Sequence, residues 1–371
     1  MNSRPSGLRI LQGVRQFLPR RGGMQEYVAQ LSSHLIDMGH HVDVLTLNRN
    51  IHTGEFLDDQ PSIIYKGKEI LVKRINFRGW SRFFWVDNFG LSPEDYDVVH
   101  VHGLDGFLSA SLRFTAAPLF LSTHGGFFHT SELKFLKNIW FHTYTCVQLR
   151  DVYKVLACSR QDFFKFKGIC DHVELLENGV DVDYFRPKVP RKIKLNHWLY
   201  VGGFQSNKRV DRLLKAFDYC FQHHSNLRLT VIGAEHYSGQ WHNLIRGLSC
   251  NKALSHFSYL NGNELVDAFH SRGVFVSAAD FEGFGLASME ALASGSLLIL
   301  HPNKSFLDLF SGLAEFADFN RPEKVLQAYN LLLKMSEQDL IERATGGMAK
   351  SEIYSWKRVA REIENHYLSA I

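Results

Sequence analysis

At 371 residues the chain is longer than one hydrophobic core usually organises, so two domains are expected. With 45% hydrophobic and 22% charged residues it has the composition of a globular protein, and a formal net charge of +4 is too small for wholesale binding of nucleic acid. Five cysteines, odd in number, widely spaced and lacking a C-x-x-C, exclude a disulfide framework and a zinc site.

Apolar runs of strand length alternate with helical patterns along the chain. Leu8–Val14 reads as a first strand. Met24, Tyr27, Val28, Leu31, Leu35 and Met38 then recur at helical spacing, with Gly39 as the helix stop. Strands are predicted at His41–Leu47, Val98–Val101, Leu119–Thr123 and Val152–Ala157. The proline- and base-rich stretch FRPKVPRKIK reads as an interdomain linker. The alternation restarts with strand Trp198–Val201, a helix over Val210–Phe221, strands Leu227–Ile232, Phe257–Leu260 and Val274–Ser277, a helix from about Leu286 and strand Leu297–Leu300; Trp356–Ile371 closes the chain as a helix. Such alternation, twice over, predicts an α/β protein of two doubly wound parallel sheets, with ligands beyond the strand C-termini in a cleft between two facing domains. The expected division is 1–183 and 184–355, with 356–371 packing back on the first domain.

The strongest chemical signal is Asp280-Phe281-Glu282-Gly283-Phe284-Gly285-Leu286-Ala287-Ser288-Met289-Glu290. It follows a predicted strand and opens a helix. Glu282 therefore falls in the loop and Glu290 about a turn into the helix. Backbone amides at Phe284, Gly285 and Leu286 are helix-start donors suited to sugar or phosphate oxygens, and a carboxylate can accept from vicinal hydroxyls. Two acids alone would read as a solvated helix and a tight turn; the glycine spacing and the strand–loop–helix context favour a site.

This segment resembles the E-x7-E motif of the retaining glycosyltransferases of family 4, which have the GT-B fold of two Rossmann-like domains. Further matches lie in the expected order: Gly22-Gly23 after the first strand, Ser122-Thr123-His124-Gly125-Gly126, Asn178-Gly179-Val180-Asp181, and Asn207-Lys208-Arg209-Val210-Asp211. Val14–Met24, NFRGWSR, STHGGFFHT and Ile139-Trp140-Phe141 are similar to one bacterial exopolysaccharide subgroup, which adds an α-mannosyl unit from GDP-mannose to cellobiosyl-diphosphopolyprenol. The resemblance implies that Glu282 meets the donor sugar hydroxyls and Glu290 the ribose. It implies that Phe284, Gly285 and Leu286 offer amides, and that Lys208 neutralises the pyrophosphate as charge develops on the leaving group. Gly22 and Gly23 would let backbone approach the donor phosphate. His124 would hydrogen-bond the transferred sugar near its anomeric centre, with His129 a weaker candidate.

One departure stands out. Where the family usually has a basic residue after the first strand of the second domain, this chain has Gly203. Arg209, Arg20 or Arg21 would compensate, or Lys208 acts alone. Asp181-Val182-Asp183 has a D-x-D form, but its place before the linker suits a helix cap. Asp95-Tyr96-Asp97 reads as a turn. No metal and no cofactor besides the donor are expected.

Between Phe127 and Gly168 seven Lys/Arg face three acids, interleaved with aromatics such as Phe127, Phe128, Phe135, Trp140, Tyr144 and Phe164. That suits either an anionic membrane surface or a solvated helix face over core aromatics. The N-terminus lacks a signal-peptide pattern and no stretch approaches the roughly 20 apolar residues of a membrane span, so a cytoplasmic protein, peripheral on the inner face of the plasma membrane, is expected. A UDP-sugar enzyme of the same fold remains an alternative. A dinucleotide oxidoreductase lacks its G-x-G-x-x-G after the first strand, and a non-catalytic binding module is disfavoured by Glu282, Glu290 and Lys208.

Overall fold

The computed structural model describes residues 7–20, 22–50, 54–57, 60–80, 83–125, 139–189 and 192–371. The chain divides into two compact units, Met1–Gly179 with Trp356–Ile371, and Val180–Ser355. The division falls at Gly179 rather than after Asp183, because Val180, Val182 and Phe185 are buried in the second unit's core. The proline- and base-rich stretch therefore belongs to the second unit, where Arg186 pairs with Glu352.

In the first unit, chain order runs β1 (Arg9–Val14), α1 (Gly23–Asp37), β2 (His41–Leu47), β3 (Ser62–Tyr65), β4 (Lys68–Ile75), β5 (Arg78–Trp80), β6 (Phe83–Trp85), β7 (Val98–His102), α2 (Gly106–Phe114) and β8 (Leu119–Ser122). A π-helical segment, Phe141–Thr145, then runs into Cys146–Leu149 (together α3), followed by β9 (Lys154–Ala157), α4 (Arg160–Lys167) and β10 (Val173–Leu175). Among the described residues these build an eight-stranded sheet, order β10-β9-β8-β7-β1-β2-β4-β3, parallel except for β3, and the separate hairpin β5–β6. Neighbouring residues of β1 alternate faces. Ile10 packs with Val28, Leu31 and the C-terminal helix Trp356–Leu368; Leu11 packs with Val99, Val101, Phe107 and Phe166. The C-terminal helix buries Trp356, Val359, Ala360, Ile363 and Tyr367, spaced to form one apolar stripe.

The second unit contains α5 (Val182–Phe185), β11 (His197–Val201), α6 (Val210–His223), β12 (Arg228–Ile232), α7 (Gln240–Ile245), β13 (Leu254–Phe257), α8 (Gly262–Ser271), β14 (Val274–Ser277), α9 (Leu286–Ala293), β15 (Leu297–Leu300), α10 (Lys304–Phe310) and β16 (Ala314–Phe316). Its six strands are all parallel, in the order β13-β12-β11-β14-β15-β16. The strand expected at Phe257–Leu260 lies earlier, at Leu254–Phe257. As an edge strand it alternates half-buried and exposed residues, while Tyr259 and Leu260 belong to the connection that Asn261 caps into α8. In each sheet the first strand lies inside the order, so the winding reverses beside it. Loops at the C-terminal ends of the strands flanking that reversal form a crevice, the usual ligand position in doubly wound sheets.

Candidate active site

In the second unit the reversal lies between β11 and β14. The loop after β11 ends in a 3-10 turn, Ser206–Lys208, and the loop after β14 carries Asp280 to Gly285. They are tied together by backbone: the Asp280 amide donates to the Asn207 carbonyl at 2.9 Å, and the Asn207 side-chain amide donates to the Phe281 carbonyl at 3.1 Å. This brings Lys208 Nζ to 2.6 Å from Glu282 Oε1, with the two side chains 24% and 16% exposed. Ser305, at the start of α10, donates to the Glu282 carbonyl at 2.6 Å and holds the loop from the other side.

Gly285 is the N-cap of α9, at φ +82, and a Cβ there would stand 2.7 Å from the Phe306 ring. Only glycine fits both the left-handed backbone and the space. A glycine cap has no side chain to take up the first N–H groups of α9, so the helix start keeps its donors and its positive dipole end for a ligand. Glu290 lies one turn into α9, half-buried. The sheet thus gathers Lys208, Glu282, Phe284, Gly285, Leu286 and Glu290 around two adjacent strand ends.

Arg209 is placed differently from the expectation of a phosphate cation. Its guanidinium bonds both oxygens of Asp211, at 3.0 and 2.8 Å, and lies 3.4 Å from Asp280. The hydrogen bonds it donates to Asp211, foremost, hold its pKa up, and the same bonds hold Asp211 down. Two carboxylates already answer this charge. Arg212 also pairs with Asp280, a network with no direct sign in the residue pattern. Arg20 is exposed, and Arg21 lies outside the described residues. Among the described residues at these strand ends, Lys208 is the cation paired with Glu282.

In the first unit, β1 separates β2 from β7; the loop after β1 carries Gly22-Gly23, and the loop after β8, next to β7, carries His124. Gly22 is extended, and Gly23 opens α1 with no described atom within 4 Å of where a Cβ would stand. Backbone is accessible there. His124 follows β8 in the left-handed region, φ 44, sparsely populated by non-glycine residues and a form of strain that marks functional loops. Asp162, buried at the start of α4, accepts from Thr123 Oγ1 at 2.6 Å and from the Gly125 amide at 2.8 Å, fixing the turn on both sides.

The imidazole of His124 is not turned towards a ligand through its nitrogens. Gln12 Oε1 lies 2.6 Å from His102 Nε2, and His102 Nδ1 lies 3.0 Å from His124 Nε2. Burial pushes the His124 pKa down to about 3 and holds His102 well below its ordinary range, so both rings are neutral. With Gln12 accepting from His102 Nε2–H, His102 Nδ1 accepts and His124 donates from Nε2. The remaining lone pair, on His124 Nδ1, faces Cys158 Sγ at 3.7 Å. His100, on the same face of β7, joins Tyr367 Oη at 2.6 Å and Ser122 Oγ at 2.9 Å. Both imidazole nitrogens of His124, expected to meet the sugar, are held here in an internal hydrogen-bond chain. The signal for it was present: histidines at alternate positions of a strand that is otherwise valine point to one face.

Of the basic, aromatic stretch, Gly126 to Asn138 lie outside the described residues, and with them His129, Phe127, Phe128, Phe135, Lys134 and Lys137. The rest divides. Phe141 and Phe166 are core, and Lys154 pairs with Glu174 at 2.5 Å, while Trp140, Tyr144 and Phe164 are exposed. No helix among the described residues is long and apolar enough to cross a membrane. Asp181 caps α5 by accepting from the Tyr184 amide, and Asp95 belongs to a 3-10 turn before β7.

Two doubly wound sheets, one with a lysine–carboxylate pair beside a glycine-started helix, make an α/β protein built to hold a ligand at its strand ends. Residues 21–184 match the family Glycosyltransferase Family 4 and residues 181–346 match Glycosyl transferases group 1, and the chain belongs to these glycosyltransferases, with the GT-B fold. It is 28% identical to the GDP-mannose:cellobiosyl-diphosphopolyprenol alpha-mannosyltransferase of Xanthomonas campestris, over 98% of this chain and 97% of that protein. It is 27% identical to the protein of the same name from Komagataeibacter xylinus, over 99% and 95%. The fold is shared with sucrose-phosphate synthase from Thermosynechococcus elongatus, at TM-score 0.77, 16% identity and 98% coverage of both chains.

Proposed function

We propose that this glycosyltransferase moves an α-mannosyl unit, with retention, from GDP-mannose to a polyprenyl-diphosphate-linked cellobiose in bacterial exopolysaccharide synthesis. The observation that carries the reading is similarity over nearly the whole chain to relatives named for that reaction. The site chemistry agrees with it. Lys208 meets the diphosphate, and the α9 amides of Phe284, Gly285 and Leu286 take its oxygens or those of the sugar. Glu282 accepts from sugar hydroxyls and Glu290 from the ribose.

In the transfer, the bond from the anomeric carbon to the phosphate oxygen breaks as the acceptor oxygen bonds to the same face. The acceptor proton passes to the departing phosphate oxygen. Negative charge develops on the phosphate as the first bond breaks, before the proton arrives, and there a fixed cation stabilises the transition state more than the ground state. Transfer runs without a metal ion, and the enzyme works peripherally at the anionic inner face of the plasma membrane.

The test offers GDP-mannose and UDP-glucose in parallel, with EDTA, to a short-chain cellobiosyl-diphospho-lipid, and analyses the product by mass and anomeric coupling. An α-linked hexose from GDP-mannose is expected. Transfer from the uridine donor alone would reject the mannosyl reading, and a β-linked product would reject retention.

A further inference from the structure

The first unit holds a second concave feature that the donor chemistry does not use. The hairpin β5–β6 packs against the start of α2 so closely that a Cβ on Gly106 would stand 2.2 Å from the Phe84 carbonyl oxygen. Opposite it runs α3. Between them lies a groove of about 150 Å³, open to solvent. It sits at the C-terminal end of β7, two residues of which carry the hydrogen-bond chain to His124.

Its walls are of two kinds. Phe83 of the hairpin and Trp140 at the head of α3 meet edge to face at 5.5 Å, and Trp140 lies 4.4 Å from the Tyr144 ring. These three rings are 51%, 40% and 44% exposed, an unusual amount of aromatic surface to leave in water at one place. Against them stands a small polar cluster: Ser109 Oγ lies 3.2 Å from Tyr144 Oη, and the Gln148 side-chain amide donates to both. The two charged residues of the lining cancel and are engaged. Asp105 caps α2 by accepting from the Phe107 amide, and Arg113 donates to the Val86 carbonyl.

Flat aromatic faces beside a hydroxyl and amide cluster, with no net charge, fit a neutral ring that has apolar C–H faces and a hydroxyl edge. A charged lipid headgroup would leave its charge unanswered there, and an acyl or polyprenyl chain would take the Ser109–Tyr144–Gln148 cluster out of water while offering it no further hydrogen bond. The volume, roughly that of five waters, takes one pyranose ring and leaves the rest of a longer ligand to project out of the open end. We infer that this groove is a saccharide subsite of the acceptor, stacking one hexose ring on Trp140 with Phe83 walling its side, and hydrogen-bonding its edge to Tyr144, Gln148 and Ser109. This rests on the reading of the chain as a transferase acting on a sugar-bearing acceptor.

The test uses the full-length protein with Trp140→Ala, the conservative Trp140→Phe, and Gln148→Ala. Binding of methyl β-cellobioside is followed by saturation-transfer NMR, the acceptor KM by steady-state transfer, and donor-site integrity by the thermal shift that GDP produces. Trp140→Ala and Gln148→Ala are expected to raise the acceptor KM at least tenfold and abolish the NMR signal, with the GDP shift unchanged and Trp140→Phe intermediate. Unchanged KM and cellobioside binding in both variants would overturn the subsite. So would a loss confined to binding of anionic or neutral vesicles, which would make the rings a membrane contact. Cellobioside binding that depends on Trp140 in a protein showing no transfer from any nucleotide sugar would uphold the groove and overturn the proposed reaction instead.

Discussion

Replacing Glu282 by Gln separates its two duties, because the change keeps the side chain's shape and removes only the charge that holds Lys208. At 2.6 Å and an effective dielectric near 20, the gross attraction of the pair is about 6 kcal/mol. Lost hydration offsets most of that, and a charge-assisted hydrogen bond nets roughly 1.5–3 kcal/mol. Lys208 gives up part of this to turn towards a diphosphate. In Glu282→Gln that opposing pull is gone, so GDP is expected to bind more tightly, by up to roughly tenfold if half the pair's net worth is released. Turnover should move the other way. An amide oxygen accepts from sugar hydroxyls more weakly than a carboxylate, and losing a charge-assisted bond in the transition state lowers kcat by roughly tenfold to a hundredfold. Calorimetry with GDP and steady-state kinetics with GDP-mannose read the two effects separately. A variant that binds GDP as poorly as one lacking Lys208, or that keeps wild-type kcat, would refute this account of the pair.

Lys208→Ala should weaken GDP by roughly tenfold to a hundredfold and cut kcat by roughly a hundredfold or more, the scale of removing one preorganised charge-stabilising group; wild-type GDP affinity in the variant would shift the phosphate role elsewhere. Acid should destabilise the first unit: burial lowers the His100 pKa from 6.5 to about 3, so below pH 6.5 the unfolded chain takes up a proton that the folded one refuses. The stability present above pH 6.5 is lost as pH falls, by about 2 kcal/mol at pH 5 from this residue alone. A urea midpoint for the first unit that stays constant from pH 7 to pH 5, or that does not respond to His100→Phe, would contradict it.

The parts of the fold with near-continuous apolar runs were legible. Val274–Ser277 and Leu297–Leu300 are buried at every position and read directly as central parallel strands. β3 and β13 lie at sheet edges, the hairpin β5–β6 lies outside the sheet, and β4 sits one strand in from the edge; all four regions were missed or misplaced because exposure alternates there and the apolar signal thins. Lys68–Ile75 runs in charged and apolar blocks although its burial largely alternates, and its pairing with β2 rests on long-range register. Glu282, Lys208 and Gly285 were legible because loop, cation and glycine recur in a fixed order. What could not be read was which charge answers which. Arg209 and Lys208 are adjacent in sequence, but the left-handed backbone at Arg209 sends it to Asp211 and Asp280 and leaves Lys208 to Glu282.

The two units also differ in how they handle charge, and this bears on what each can bind. The second collects Lys208, Arg209 and Arg212 against Asp280, Asp211 and Glu282 around two strand ends. Such a cluster tolerates a multiply charged ligand, because its partners can be exchanged without leaving any group bare. The equivalent strand ends of the first unit carry imidazoles that burial keeps neutral, a buried glutamine and, beside them, an aromatic groove whose two charges cancel. A diphosphate brought to the groove would meet one guanidinium, Arg113, already engaged with the Val86 carbonyl and offset by Asp105, whereas a hydroxyl-bearing sugar would meet donors and acceptors without adding charge. Moving a net charge into either place should therefore have opposite consequences. An added carboxylate at Ser109 would harm only the handling of the neutral ring, and loss of Lys208 only that of the nucleotide. That division follows from the side chains each sheet presents at its own point of reversal.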